Sequence, residues 1–141
     1  MKDVIVVHHP ADAVPLISQY GKKKQEHFGI ICLDNQYNVI SKKVLFIGGA
    51  GSCQIDTKVV FWEACRKSAT AVIIFHTHPC GESDPSKPDI KTTKDLSDGF
   101  RLLGIQFLDH IIIGRHEYFS FLEHDMIETL DSKVVGVAEV K

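Results

Sequence analysis

The sequence predicts an α/β domain in which helices flank a mixed β-sheet. Near the N-terminus, two extended segments are separated by a turn cluster, a pattern typical of a β-hairpin. Beyond this hairpin, helical and extended patterns alternate, as they do in α/β folds. The length of 141 residues fits one domain, and 44% hydrophobic with 24% charged residues is the composition of a globular protein. We therefore expect a single domain over residues 1–141.

The first half of the chain predicts a short strand, a helix, a hairpin and a second helix. In order, these cover Val4–His8, Ala11–Tyr20, the strands His27–Leu33 and Val39–Ile47, and a segment from Asp56 or Thr57 to about Ser68. The first helix is expected to bury Ala13, Val14 and Ile17, and the second Val59, Val60, Trp62, Ala64 and Cys65. Gly48–Ser52 is interpreted as a loop. A phosphate-binding role for it is disfavoured, because it lacks the Lys-Ser/Thr that follows in a P-loop and the G-x-G-x-x-G spacing.

The second half predicts a central strand, a long loop, a long helix and a second hairpin. The central strand is Ala69–Phe75, whose uniformly apolar sequence indicates burial on both faces. The elements that follow are the loop His76–Pro85, the helix Ser86–Leu103, the strands Gln106–Ile113 and Tyr118–Leu122, and a short helix near Asp125–Leu130. The long helix is expected to bury Ile90, Leu96, Phe100 and Leu103 and to end at Gly104.

Composition excludes several classes of function. Lys and Arg total 16 against 18 Asp and Glu, so the formal charge of −2 offers no basic field for a nucleic acid. The N-terminus has the pattern of neither a signal peptide nor an anchor, and every apolar run is shorter than a membrane span. The four cysteines lack C-x-x-C spacing, so we expect free thiols and a cytoplasmic protein.

Two of the eight histidines stand where a buried strand is predicted to end. His76 and His78 are two positions apart, so on an extended backbone their side chains point to the same face and Thr77 points the other way. The two positions are separated by about 6.6–6.8 Å along such a backbone. Asp89 follows in the first turn of the next helix. Two histidines and a carboxylate form a ligand set of catalytic zinc, with a fourth position left for water. The alternatives are a hydrogen-bonded surface pair and, for Ser86 and Asp89, a helix-capping box.

This segment resembles the JAMM signature of JAB/MPN+ metalloprotease domains: H-T-H-P, seven residues between the second histidine and a serine, then S-x-x-D. Further matches are similar to the RadC branch and extend from about Pro10 to Gly114. They are HTHPCG at His76–Gly81, Pro85-Ser86, Leu103-Gly104-Ile105, Asp109–Gly114, Glu26-His27-Phe28, Leu33-Asp34, Asn38 and Leu45–Gly48. The resemblance implies a JAB/MPN architecture, which is related to that of cytidine deaminases. RadC proteins usually carry an N-terminal helix-hairpin-helix region, and we expect this chain to correspond to the isolated C-terminal domain.

The resemblance also implies roles for five residues. His76, His78 and Asp89 match the zinc ligands, Glu26 matches the general base, and Ser86 matches the hydroxyl that stabilises the oxyanion. Such relatives cleave peptide or isopeptide bonds, often at ubiquitin-like carriers, which implies a peptide or protein substrate here. The alternative is a non-catalytic JAB-fold binding module associated with DNA repair or recombination. A nucleobase deaminase is disfavoured because H-x-H replaces H-x-E and P-C lacks the second cysteine.

The remaining histidines are expected to be structural or exposed. His8, His9 and His124 lie near predicted element ends, His116 lies in a hairpin turn, and His27 lies on a strand. We expect His110 to be a hydrogen-bonded histidine near the site and not a ligand.

Overall fold

The computed structural model describes residues 3–48, 54–79 and 81–127. The helices are α1 (Pro10–Ile17), α2 (Thr57–Arg66) and α3 (Lys87–Leu103), and a short 3₁₀ helix over Ser18–Lys22 follows α1. The strands are β1 (His27–Leu33), β2 (Val39–Ile47), β3 (Ala71–Thr77), β4 (Gln106–Ile113) and β5 (Tyr118–Ser120). Among these residues, no helix combines the length and apolar character that crossing a membrane requires.

The five strands form one mixed sheet in the order β2-β1-β3-β4-β5. β1 runs antiparallel to β2 and β3, β3 runs parallel to β4, and β4 runs antiparallel to β5. All residues of β1 and β3 are buried, because both strands lie inside the sheet and both faces are covered. The predicted α/β class and the predicted burial of the central strand are confirmed.

Each face of the sheet carries its own apolar core. On one face, α2 and α3 contribute the buried residues Val60, Ala64, Leu96 and Phe100, which pack with Phe28, Ile30, Ile74 and Ile112 of the sheet. On the other face, α1 contributes Ala13 and Ile17, which pack with Ile31, Ile73, Phe75 and Ile111. Alternation along each strand therefore decides which face a residue serves.

Helix phase differs from the prediction in α2 and at the ends of α3. In α2, Val60 and Ala64 are buried as predicted. Trp62 is 64% exposed, and Val59 and Cys65 are exposed as well, because they lie outside the face of the helix that packs on the core. Phe61, outside the predicted set, packs edge-to-face on Phe100 with ring centroids 4.9 Å apart. In α3, Leu96 and Phe100 are buried as predicted, but Ile90 and Leu103 are exposed because they lie in the first and last turns.

Several boundaries also differ. Val4–His8 forms an isolated bridge between Val6 and Asn38 instead of a strand, and α1 gives way to the 3₁₀ turn at Ser18. β5 ends at Ser120, because residues 121–125 form turns. The short helix predicted near Asp125–Leu130 is wrong for residues 125–127, and its remainder lies outside the described residues, as do most of the loop Gly48–Ser52 and the cysteines Cys53 and Cys80. Cys32 and Cys65 are free thiols, as predicted.

β3 is shifted by two residues from the predicted Ala69–Phe75: it begins at Ala71, and it extends two residues beyond the predicted end at Phe75. His76 and Thr77 are therefore paired strand residues and not loop residues. His76 faces Phe28 of β1 and Ile112 of β4, so its backbone is held from both sides. Gly104 ends α3 in the left-handed conformation (φ 72°), as predicted.

Candidate metal centre

The end of β3 orients the two histidines. Beyond the strand, the His78 N–H donates to the Ile113 carbonyl (2.8 Å), which extends the pairing with β4 by one residue. The buried hydroxyl of Thr77 points to the opposite face, where it accepts from the His27 N–H (3.0 Å). The rings of His76 and His78 therefore project from the same face, 4.8 Å apart between centroids.

Asp89 reaches this face from the first turn of α3. Ser86 caps the helix: its side-chain oxygen accepts from the Asp89 N–H (3.2 Å), and the Asp89 carboxylate accepts from the Ser86 N–H (2.8 Å). Pro88 occupies the first turn, where a missing N–H costs no helical hydrogen bond. The predicted capping box is confirmed, and it holds the carboxylate over the end of β3.

The three side chains converge on one point. His76 Nε2 lies 3.0 Å from His78 Nε2 and 3.2 Å from Asp89 Oδ1, and His78 Nε2 lies 3.1 Å from Asp89 Oδ2. Ligand atoms about 2.0–2.1 Å from a tetrahedral zinc ion are separated by about 3.3–3.4 Å. The distance between the two Nε2 atoms, and the distance from each to its nearer Asp89 oxygen, are therefore within a few tenths of an ångström of this spacing. One ligand atom from each of the three residues lies within 4.8 Å of the others, and the residue types match a two-histidine, one-carboxylate set.

The other ring nitrogens are also engaged, and these bonds orient both imidazoles. His78 Nδ1 lies 2.9 Å from the carbonyl oxygen of Glu82, which can only accept, so this nitrogen carries the ring proton. His76 Nδ1 lies 2.8 Å from Nε2 of the buried His110. Partners of this kind set the tautomer and direction of a metal-ligating histidine.

Electrostatics leave the carboxylate ionised. Burial opposes the charge of Asp89, but hydrogen bonds from His76 and His78, the charge of His76 and the Ser86 N–H outweigh it and hold the pKa of Asp89 well below its usual value. The hydrogen bond to Asp89 in turn raises the pKa of His78, against its desolvation. Burial lowers the pKa of His110 well below its usual value, and the nearby His76 adds to the effect.

Glu26 lies directly before β1, on the side of the sheet that carries His78. Phe28 is the strand partner of His76, so continuing this antiparallel register places Glu26 opposite His78. The negative charge of Glu26 contributes to the raised pKa of His78, which puts the half-buried carboxylate within electrostatic reach of the ring. The Glu26 carbonyl accepts from the Gly48 N–H (2.9 Å), which anchors the backbone at this point.

Ser86 lies at the exposed rim beside Asp89. Its oxygen accepts the Asp89 N–H as the helix cap, and this leaves the hydroxyl proton free to be donated elsewhere. A hydroxyl in this position can serve an incoming ligand without giving up its capping role.

Two groups around the site were not predicted from sequence. Phe28 stacks against the ring of His76 at a centroid distance of 6.0 Å. Thr93 is buried on α3 and contacts both Asp89 and His110. Its spacing of four residues from Asp89 on a helix is the sequence signal that could have identified it.

The expected placement of the other histidines is confirmed. His110 is fully buried beside His76, and the exposed ones are His8, His9, His116 and His124. His27 is buried on the opposite face of the sheet, where it stacks against Tyr20.

Most of the chain is similar to known proteins. A family model described as a RadC-like JAB domain matches residues 7–126. The chain is 38% identical over 123 residues to a UPF0758 protein of Listeria monocytogenes and 40% identical over 123 residues to one of Bacillus licheniformis. Each alignment covers 86% of this chain and 55% of the relative, so the chain spans about half the length of these proteins.

Proposed function

The chain belongs to the family of RadC-like JAB domains, and from this premise we propose that it is a zinc-dependent metallohydrolase that cleaves a peptide or isopeptide bond. The observation that carries the proposal is the convergence of His76, His78 and Asp89: the two Nε2 atoms lie 3.0 Å apart, and each lies 3.1–3.2 Å from a different oxygen of the Asp89 carboxylate. Nε2 of each histidine and one carboxylate oxygen would hold the ion. When bound, zinc would supply a Lewis acid that lowers the pKa of a water molecule and polarises the carbonyl of the scissile bond.

Glu26 is the proposed general base. The register of β1 on β3 supports this role because it puts Glu26 opposite His78, and Glu26 is not a member of the donor set. A carboxylate in this position can accept a proton from the attacking water and return it to the leaving nitrogen. An amine is a poor leaving group until it is protonated, so the second transfer is as necessary as the first.

Ser86 is the proposed oxyanion donor. The helix cap fixes its oxygen while its proton stays free, so the hydroxyl can donate to the carbonyl oxygen as negative charge develops there. The donor is held in place before the substrate binds, so it requires no reorganisation during the reaction.

The proposed substrate is a peptide or protein, including one attached to a ubiquitin-like carrier, and the proposed setting is the cytoplasm. A net charge of −2 gives no support to DNA as the substrate. A gel-shift assay that detects salt-sensitive DNA binding would contradict this assignment.

The experiment has a metal arm and a cleavage arm. Metal content is measured in protein purified without added zinc, and the zinc-loaded chain is then incubated with peptide and isopeptide substrates whose products are followed by mass spectrometry. We expect cleavage that falls by at least about 100-fold in Glu26→Gln, because a general base contributes on this scale. Zinc content should stay unchanged in this variant. Zinc binding without cleavage of any substrate would favour the non-catalytic binding module instead. A Glu26→Gln variant that retains the cellular function of the unaltered chain would favour the same alternative.

A further inference from the structure

A chain of three short hydrogen bonds joins two of the candidate metal ligands through buried residues. His76 Nδ1 lies 2.8 Å from His110 Nε2, His110 Nδ1 lies 2.5 Å from Thr93 Oγ1, and Thr93 Oγ1 lies 2.7 Å from the carbonyl oxygen of Asp89. His110 and Thr93 are both buried. The chain connects β3, β4 and α3, which are the elements that bring the ligands together.

One end of this chain sets the direction of every proton in it. A backbone carbonyl only accepts, so the Thr93 hydroxyl must donate to Asp89. The Thr93 oxygen is then available only as an acceptor, so the proton between it and His110 lies on His110 Nδ1. A neutral His110 has its lone pair on Nε2, and it accepts from the Nδ1–H of His76.

The far end of the chain is the metal-binding atom of His76. When the His76 ring is neutral and its proton is on Nδ1, it presents the lone pair of Nε2 to the point where the three side chains meet. The opposite tautomer would place a proton on that atom and exclude a metal ion. Phe121 stacks on His110 (4.8 Å between centroids), so the ring is held in the plane that both hydrogen bonds need.

We propose that His110 and Thr93 are positioning residues that hold His76 in its metal-binding tautomer, with Thr93 setting the proton direction from the backbone of α3. This inference rests on the proposed function, because it concerns the zinc affinity of the same site. Neither residue supplies a donor atom to the metal. Their effect is on the state of a ligand, which distinguishes the proposal from a purely structural role in the core.

The test uses substitutions that differ in one hydroxyl group. Thr93→Val keeps the shape of the side chain and removes the hydroxyl, whereas Thr93→Ser keeps the hydroxyl. Thr92→Val makes the same change one residue earlier on α3, at a half-buried position. Zinc affinity is measured on the full chain by competition with a chelator, and thermal unfolding of the metal-free proteins reports on the fold.

We expect Thr93→Val to weaken zinc binding by roughly tenfold or more, on the scale known for partners of metal ligands. Thr93→Ser and Thr92→Val should stay within about threefold of the unaltered chain, because both keep the chain of hydrogen bonds. An affinity of Thr93→Val equal to that of the unaltered chain would overturn the inference alone. Failure of the unaltered chain to bind zinc would overturn the proposed function as well.

A second measurement needs no variant. In the zinc-loaded, ¹⁵N-histidine-labelled chain, nitrogen chemical shifts report which ring atom of His110 carries the proton. The inference requires a proton on Nδ1 and a bare Nε2. A proton on His110 Nε2 would overturn the inference, whatever the variants show.

Discussion

His76 Nε2 lies 3.2 Å from Asp89 Oδ1, although His76 lies at the end of a central strand and Asp89 in the first turn of a helix. The strand position comes from pairing on both sides, and the helix position comes from the Ser86 cap and the packing of α3 on the sheet. The donor set therefore depends on how the strand and the helix pack together. Single substitutions in the donor set can test it without disrupting the strand or the helix.

Replacing one ligand should abolish metal retention without unfolding the chain. His78→Ala removes a donor atom from a three-residue set, and zinc content should fall from about one ion per chain to below about a tenth. Metal analysis of protein purified without added zinc measures this. His116→Ala, which changes an exposed histidine in the β4–β5 turn, is the matched control. Equal zinc content in His78→Ala and the unaltered chain would contradict the site.

As the pH is lowered, zinc affinity should begin to fall at a higher pH than it would if His78 had the pKa of an ordinary histidine. In the metal-free chain the hydrogen bond to Asp89 raises the pKa of His78 above 6.5. Zinc binds the deprotonated ring, so proton and metal compete for Nε2. The affinity should be full above the raised pKa and fall as the pH drops through it, which begins above pH 6.5.

Chelator competition between about pH 5.5 and about pH 8.5 measures this decline across the titration range of histidine. An NMR titration of His78 in the metal-free chain gives the proton affinity independently, and the two midpoints should agree. A decline that begins only below pH 6.5 would contradict the ion pair between His78 and Asp89.

Asp109 should make the metal-free fold less stable as the pH rises. Burial raises its pKa to about 6 from 3.8, despite bonds from the Ser120 hydroxyl and the Leu122 and His110 N–H groups. Between these values the folded chain holds a proton that the unfolded chain has released, so the free energy of unfolding falls with rising pH. The difference between about 6 and 3.8 corresponds to roughly 3 kcal/mol.

Asp109→Asn should remove this pH dependence, because the amide keeps an acceptor for the two N–H groups and a polar partner for Ser120. Urea unfolding of both proteins from about pH 4 to about pH 7 measures the difference, in which titrations common to both cancel. Parallel pH profiles would show that Asp109 does not hold its proton in the folded state.

Gly99→Ala on α3 should destabilise the fold even though it improves helix propensity. Alanine gains about 1 kcal/mol over glycine within a helix. A Cβ atom at this position would overlap Cζ of Phe61, whose ring packs on Phe100. Overpacking of this kind costs about 1–3 kcal/mol, so the clash should outweigh the propensity.

The effect of Gly99→Ala on the free energy of unfolding should change sign when the ring of Phe61 is removed. In a Phe61→Leu background, Gly99→Ala should raise the free energy of unfolding by up to about 1 kcal/mol, because only the propensity gain is left. A double-mutant cycle from urea unfolding measures the coupling. Additive effects of the two changes would show that Phe61 does not contact position 99.

Local sequence patterns predicted the bounds of those strands and helices whose ends depend on residues within the same segment. The hairpin strands His27–Leu33 and Val39–Ile47, the strand Gln106–Ile113 and the cap at Ser86 were all predicted with the bounds that the structure has. Turn residues, capping residues and alternation act over a few positions, so a single segment contains the information. Helix phase in α2 was less predictable, since several apolar faces compete and the partner decides among them.

The sequence by itself determined the α/β class and the spacing that puts His76 and His78 on one face with Asp89 in a capped first turn, because strand and helix periods are local properties of the backbone. Only the tertiary structure decided how Glu26, His110 and Thr93 lie relative to these three side chains. The position of Glu26 opposite His78 follows from the register of β1 on β3, and the link from His76 through His110 to Thr93 comes from the packing of β4 and α3. These contacts join residues 17–52 positions apart, and such distances are set by pairing and packing between elements that no local pattern encodes.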